Sequence, residues 1–317
     1  MSDSQQPGQP EQPRHPDQPG TAQPGSDQPA ADQPADAVSS IDPQTGEDLS
    51  WKQTPLALVL LDRPAPDHRE VGELLAEIFE GAYEVETGTD DDPATAVHVE
   101  DATVIVSTVN SPVPDGEASR YTADLAMWNG QEAVVDTHRS QLVVAAFRWG
   151  PPGDDGEPTA PEYMDPRLET LRCELAVANV AAALTALPGS VAVTVGGAAT
   201  TLPAGPYREL VTANPVPAPA LVGIRAGMQS ESTSCAYTTG LGRFGRMDLE
   251  RLDVAAPPAA VYGQMCDIVA FALASGTIFL PGQALEVGGP EPLVATAAVS
   301  PFTGQEALRL GPGAPTE

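Results

Sequence analysis

The stretch from Tyr237 to Gly276, YTTGLGRFGRMDLERLDVAAPPAAVYGQMCDIVAFALASG, constrains the fold more than any other part of the chain. An apolar strand, a glycine-rich turn, a second strand and an amphipathic helix succeed one another there without a gap. Pro257 and Pro258 open the helix, where proline is tolerated because first-turn amides have no intrahelical partner. Val261, Tyr262, Met265, Ile268, Val269, Ala272 and Leu273 then recur at three- and four-residue steps, one apolar stripe along the axis. Gly276 is the expected stop, since glycine takes the left-handed conformation of a helix end without steric cost. Leu249 to Val254 mixes apolar and charged residues as a half-buried strand does.

Gly240, Gly242 and Gly245 spell GxGxxG. A dinucleotide site needs those glycines to close a strand and open a helix, so that pyrophosphate meets the helix amides. Here a strand-like segment comes next, and the helix starts a dozen residues later. Asp267, roughly where a ribose-binding acid falls, sits inside that helix. The motif without its context reads as a tight structural turn.

The chain begins with a low-complexity tail over residues 1–53. Its Gln-Pro dipeptides settle into a regular spacing ending at Pro19, Pro24, Pro29 and Pro34. With proline blocking helix and sheet, and little apolar surface to offset ordering entropy, this tail is expected to be disordered. A globular part runs from residue 54 to 310, with a short flexible C-terminus at 311–317. Leu56 to Leu61 is an uninterrupted apolar run, a buried strand by its length. Asp67 with Glu70 forms a capping-box pattern opening a helix with Val71, Leu74, Leu75 and Ile78 on its core face. Strands are expected at 94–99 and 103–109, a helix at 115–128 and a buried strand at 141–149. That order matches the split βαβ arrangement of ferredoxin-like folds. Gly150 to Glu162, rich in proline, glycine and acids, is expected as an exposed loop between two halves, about 54–149 and 165–310.

In the second half the longest helix runs from Asp165-Pro166 to about Leu187, with Leu168, Leu171, Leu175, Ala178 and Ala182 in register. A hairpin around Gly196-Gly197, a brief helix at 203–212 and a strand at 221–225 precede the organising stretch. Strand-like segments at 277–280, 284–287 and 293–299 come after it. The fold expected is α+β, two ferredoxin-like or similar βα halves packed as one globular unit after the tail.

The run from Gly240 to Val254 and the segment VYGQMCDIVAFALASGTIFLPGQALEV resemble the C-terminal signature of an uncharacterised bacterial family, domain of unknown function 4261 (DUF4261). PLALVLLDRPAPDHREVGELLAEIF, VEDATVIVSTVNSPVPDGE and VVDTHRSQLVVAAF resemble its earlier segments in the same order. The resemblance covers roughly Thr54 to Leu310. Met247-Asp248 stands where the family pattern leads one to expect Pro-Glu. It implies a globular bacterial domain and carries no catalytic residue with it.

Acidic residues outnumber basic ones 44 to 15, a formal charge of −29. Such a surface repels nucleic-acid phosphates and anionic headgroups, which need neutralising cations, so neither partner is expected. Cys173, Cys235 and Cys266 are widely spaced with no C-x-x-C pair, indicating neither a disulfide framework nor a zinc knuckle. No signal region opens the chain, and a cytoplasmic location is expected. The lone lysine, Lys52, rules out a phosphate loop of the glycine-lysine-serine type, and no cofactor is expected.

The chemistry-bearing candidates each compete with a plainer reading. Asp136, His138 and Ser140 fall at two-residue steps, which along a strand puts all three on one face. A triad instead needs its members to meet in space. His138 is the best histidine candidate, with Cys235 as a thiol it would activate across the sheet. Asp90, Asp91 and Asp92 carry hard-cation oxygens but lack calcium-loop spacing; His68 and His98 have no second ligand nearby, so no metal is expected. Arg243 and Arg246 beside Phe244, with Arg251 further on, form the densest positive cluster, suited to a carboxylate, a phosphate or an acidic partner, or equally to pairing with Glu250, Asp248 and Asp253 so that the local field is neutralised. The leading reading is a non-catalytic cytoplasmic domain that binds an unidentified protein or small anionic ligand. The alternative is a small-molecule enzyme with His138 and Cys235 between the halves.

Overall fold

The computed structural model describes residues 54–100, 102–122, 128, 130–148, 166–286 and 292–312. The expected tail, the expected loop at 150–162 and the chain end beyond 312 lie outside the described residues. In chain order the elements are β1 Leu56–Leu61, α1 His68–Phe79, β2 Glu84–Thr87, β3 Ala94–Val99, β4 Ala102–Val109, α2 Glu117–Arg120 and β5 Ser140–Arg148. Next come α3 Pro166–Leu184, β6 Ser190–Val195, β7 Thr200–Pro203, α4 Ala204–Ala213, α5 Ala218–Leu221, β8 Gly223–Met228 and β9 Ser234–Thr239. The last are β10 Asp248–Val254, α6 Pro258–Ser275, β11 Ala284–Leu285, β12 Leu293–Val299 and β13 Glu306–Pro312.

The chain is mixed α+β and builds two sheets. The first is antiparallel throughout, ordered β2-β3-β4-β5-β1-β6-β7. The second is ordered β11-β12-β13-β10-β9-β8, with β10 and β13 parallel and the other pairs antiparallel. Helices α1, α3 and α4 cover the first sheet, and α6 lies on β8 and β9 of the second. All described residues belong to one compact unit, and a single apolar core runs through both layers.

The strand order departs from the ferredoxin-like expectation. In that fold β1 lies between β5 and β4; here it lies between β5 and β6. Strand β1 is interior in both arrangements, and only its second neighbour differs. LALVLL is apolar throughout, with Ala57, Val59, Leu60 and Leu61 fully buried. Such a strand cannot serve as an edge, because its open amides and carbonyls would face water beside apolar side chains. Strand β5, nine residues long, pairs with β4 on one side and β1 on the other, and β6 closes the remaining side. The first sheet therefore draws two strands from beyond residue 165, and the change of sheet falls between β7 and β8 rather than at the 150–162 loop.

Local chemistry explains most of the elements. The Asp67 carboxylate caps α1 by accepting from the amides of Arg69 and Glu70 at 3.0 and 2.9 Å, and these bonds hold its pKa below the usual value. The helix expected at 115–128 is shorter. Asp115 and Gly116 take left-handed φ of 57° and 63°, so the first turn is a 3-10 turn and α2 ends after four residues. Residues 123–127 lie outside the described part. Trp128 is buried at the end of that segment and donates its indole N–H to Thr201 O at 2.8 Å, tying it to β7. Residues 277–280 are irregular instead of strand-like, and β2 and β13 form where no strand was expected.

The C-terminal half of helix α3, from Leu175 to Leu184, is apolar apart from Asn179, as a helix with neighbours on several flanks must be. Val177, Val180, Ala181 and Leu184 are buried against the sheet, while Leu168, expected in the core, is 48% exposed on its first turn. By length and composition α6 alone among the described helices is apolar enough to cross a membrane; its Val261, Met265, Ile268, Val269 and Leu273 are buried within the protein.

Leu142, fully buried on β5, sits at the centre of the first sheet. Leu142→Ala is expected to lower stability by about 2–5 kcal/mol, as large-to-small core changes do. Leu280→Ala, at a residue 61% exposed, is expected to stay within about 0.5 kcal/mol. Urea unfolding of the two variants beside the parent chain measures both.

Candidate functional site

The arginine cluster does not form an open recognition surface. Arg243 is 4% exposed and Phe244 fully buried. The Arg243 guanidinium donates to Glu174 Oε1 at 2.7 Å and to the carbonyl of Leu221, and its charge lies 5.2 Å from the Phe244 ring centre. Glu174 is in α3 and 2% exposed, so the pair joins the helix layer of the first sheet to the Leu241–Phe244 turn of the second. Burial raises the Glu174 pKa, with the guanidinium pulling the other way. Arg246 donates to the carbonyls of Ala272, Thr277 and Phe244 at 3.0, 3.1 and 2.8 Å, satisfying acceptors at the open end of α6. Arg251 donates to Gln264 on the same helix. Each arginine holds an element of the fold.

The GxGxxG turn meets an anion from its own chain. Asp248, the first residue of β10, accepts from the amides of Leu241 and Gly240 at 3.1 and 3.4 Å and from the Thr238 hydroxyl at 2.8 Å. Burial pushes its pKa up while these bonds oppose the shift. Gly240 has φ of 95°, and a Cβ there would stand 2.5 Å from Gly197 O. A Cβ on Gly197 would in turn stand 2.3 Å from the Arg243 guanidinium. The glycines thus let the GLGRFG turn lie backbone to backbone on the VGGAAT turn between β6 and β7. Thr239 and Arg225 extend that seam, reaching the carbonyls of Ala198 and Ala199.

The catalytic candidates are not brought together. His138 accepts from the Val113 amide at Nε2, 2.8 Å away, and its Nδ1 donates to Val135 O. Both ring nitrogens are thereby engaged with backbone, which fixes the neutral Nδ1–H tautomer. Ser140 donates to Arg63 O and Asp136 accepts from Ser119, so the three residues face different partners. Cys235 lies in the other sheet, buried on β9 with its sulfur 3.8 Å from Gly227 O. Cys173 is buried on α3, and burial pushes the half-buried Cys266 thiol up to about 12. Asp90 pairs with Arg69 at 2.7 Å, and His98 with Glu86 and Thr103. No group of three metal-ligating residues occurs among the described residues.

Among the described residues, an open concavity of ligand size lies elsewhere, over α3. The end of α1 with Ala82 and Tyr83 forms one wall, α4 the other, and Ala182, Ala183 and Ala186 the floor. Its volume is about 530 Å³, and a smaller extension of about 330 Å³ continues past Asn179 toward Pro215 and Pro217. Two polar side chains line it without any hydrogen-bond or ion-pair partner among the described residues: Asn179 and Arg208. The sequence carries a faint signal of this trough in the surplus of alanines on the outward side of α3, beyond the stripe needed for the core. Arg208, isolated in sequence from other cations, gives none. Comparisons with protein families, with curated proteins and with solved structures find no match to this chain.

Removing Arg243 leaves the Glu174 carboxylate buried without its cation. Arg243→Met is expected to cost about 3–5 kcal/mol at neutral pH, and the double variant Glu174→Met/Arg243→Met to regain most of it. In the single variant Glu174 loses the one influence lowering its pKa, so above about 4.5 the folded chain binds more protons than the unfolded one. Stability then falls as pH rises through that window, and the deficit is expected to narrow on going from neutral pH to about pH 5. Denaturant midpoints at both pH values check the sign.

Proposed function

We propose that the chain is a non-catalytic cytoplasmic binding domain whose ligand occupies the trough between α1, α3 and α4. The observation that carries this reading is a contrast within the molecule. Arg243, Arg246, Asp248 and the glycine turn, which look like recognition groups in sequence, are engaged in the fold. The trough walls offer apolar surface to solvent instead, with Ile78 41% exposed at the rim and Phe79 and Tyr83 half-buried. A concavity of this size falls within the roughly 300–1,000 Å³ usual for small-molecule sites, mostly apolar with a few polar groups. The resemblance to DUF4261 agrees with a bacterial domain of this kind and belongs to the same proposal. The enzyme alternative, built on His138 and Cys235, gains no support, since both ring nitrogens of His138 are occupied by backbone.

Ala186 is exposed on the floor of the trough, so a large side chain there fills the space without disturbing the core. Nile red, a neutral dye whose emission rises in apolar surroundings, is expected to bind the parent chain saturably. The Ala186→Trp variant is expected to weaken that binding at least about tenfold, or 1.4 kcal/mol, with an unchanged unfolding midpoint. Equal dye binding by the folded variant would remove the trough as the site.

A further inference from the structure

Resting on the trough as the binding site, we propose that its ligand is an amphipathic carboxylate, an acyl or aryl acid whose charge meets Arg208 and whose apolar body lies on the alanine floor. The walls specify the apolar part. Phe79 and Tyr83 meet edge to face with ring centres 4.9 Å apart, a rigid aromatic corner facing the trough's alanines. Small residues on α3 keep the floor low, so an extended chain or flat ring lies between the helices instead of perching on them.

Charge specifies the other end. Arg208 lines the trough from α4, and its guanidinium has no carboxylate partner among the described residues. In a chain with 44 acidic residues and 15 basic ones, Arg208 places positive charge at the edge of an apolar concavity. The neighbouring Thr212 hydroxyl is already engaged, donating to the carbonyls of Arg208 and Glu209 within α4. Asn179, at the junction with the smaller extension, adds an amide that donates and accepts. A planar guanidinium matches a carboxylate through two parallel N–H···O bonds, and the amide accommodates its second face or a neighbouring carbonyl. The acidic remainder of the surface disfavours multiply charged phosphate ligands, which carry more charge than a single arginine neutralises. One negative charge on an apolar body is the composition the trough matches.

Dodecanoate and dodecanol share an apolar chain and differ in charge, which makes them the probes. Their affinities are measured by displacement of Nile red from the full-length chain, from Arg208→Gln and from Ala186→Trp. Dodecanoate is expected to bind the parent chain more tightly than dodecanol. Arg208→Gln is expected to remove that preference, weakening the acid about tenfold and leaving the alcohol unchanged. Ala186→Trp is expected to weaken both. If acid and alcohol bind the parent equally and Arg208→Gln changes neither, the carboxylate assignment is overturned, while blockage by Ala186→Trp keeps the trough as a site. If neither binds, and the dye is indifferent to Ala186→Trp, both readings fall. If residues 54–317 bind the acid far more tightly than the full-length chain, the N-terminal tail occupies the trough and the small-acid assignment is overturned.

Discussion

The ion pair between Glu174 and Arg243 is the interaction on which the arrangement of the two sheets depends. Neither side chain reaches solvent, and each would be costly to bury alone. Together they give a 2.7 Å charge-assisted bond, and the guanidinium also reaches Leu221 O at the end of α5. One side chain from the second sheet thus grips α3 and α5, the helices that lie between the layers. Its satisfaction is incomplete: Arg243 Nε and the hydroxyl of fully buried Tyr207 have no hydrogen-bond partner among the described residues. A well-packed apolar substitute would serve stability at least as well, which is the usual outcome for buried ion pairs. What the pair supplies is direction. A guanidinium fits only one angle of approach, and that angle sets the Leu241–Phe244 turn against α3.

The glycine turn answers the same requirement. For Arg243 to reach Glu174, the GLGRFG backbone must come within contact of the VGGAAT backbone, and a side chain at Gly240 or Gly197 would hold them apart. The turn's amides then point inward and need an acceptor, which Asp248 supplies from the next strand. This accounts for an acid at that position, immediately after Met247, where the resemblance leads one to expect a proline and then glutamate. A dinucleotide loop uses the same three glycines to admit a phosphate; here the approaching groups are a neighbouring backbone and the chain's own carboxylate. The two uses differ in the element after the last glycine, a helix in the dinucleotide loop and a strand in this chain.

What was legible in the sequence is the local part. The Asp67 cap, the apolar stripe of α6 from Val261 to Leu273, the uninterrupted β1 and the hairpin around Gly196-Gly197 each arise from a few adjacent residues. What was not legible depends on pairing over long separations. Nothing in LALVLL says that its second neighbour is SVAVTV, more than a hundred residues later, instead of a strand from its own half. The arginines misled for a related reason. A cluster of cations in an acidic chain looks exposed until the buried acids that answer it are located, and Glu174 is 69 residues away on a helix that reads as apolar. His138 was recognisable as unusual, yet its two backbone partners at Val113 and Val135 emerge only once the chain turns back on itself.

The trough is a consequence of how three helices of unequal bulk share one sheet. Helix α3 lies in the middle and presses Val177, Val180 and Leu184 into the core, while the buried Ala182 and Ala183 and the exposed Ala186 line the trough. Its neighbours carry Ile78, Phe79 and Val211 along their flanks, so they stand higher than the floor between them. Larger residues at Ala182, Ala183 and Ala186 would fill this gap and bury more apolar surface, worth about 25 cal/mol per Å². Helix packing therefore sets no requirement for so low a floor, and folding sets none for an arginine at its edge that meets no acid among the described residues. Among the described residues the buried arginines are matched to acids, carbonyls or an amide, and the glycine turn finds an internal anion. The trough brings exposed apolar surface together with an arginine that has no partner among the described residues, and that coincidence is what argues for a ligand carrying their complements.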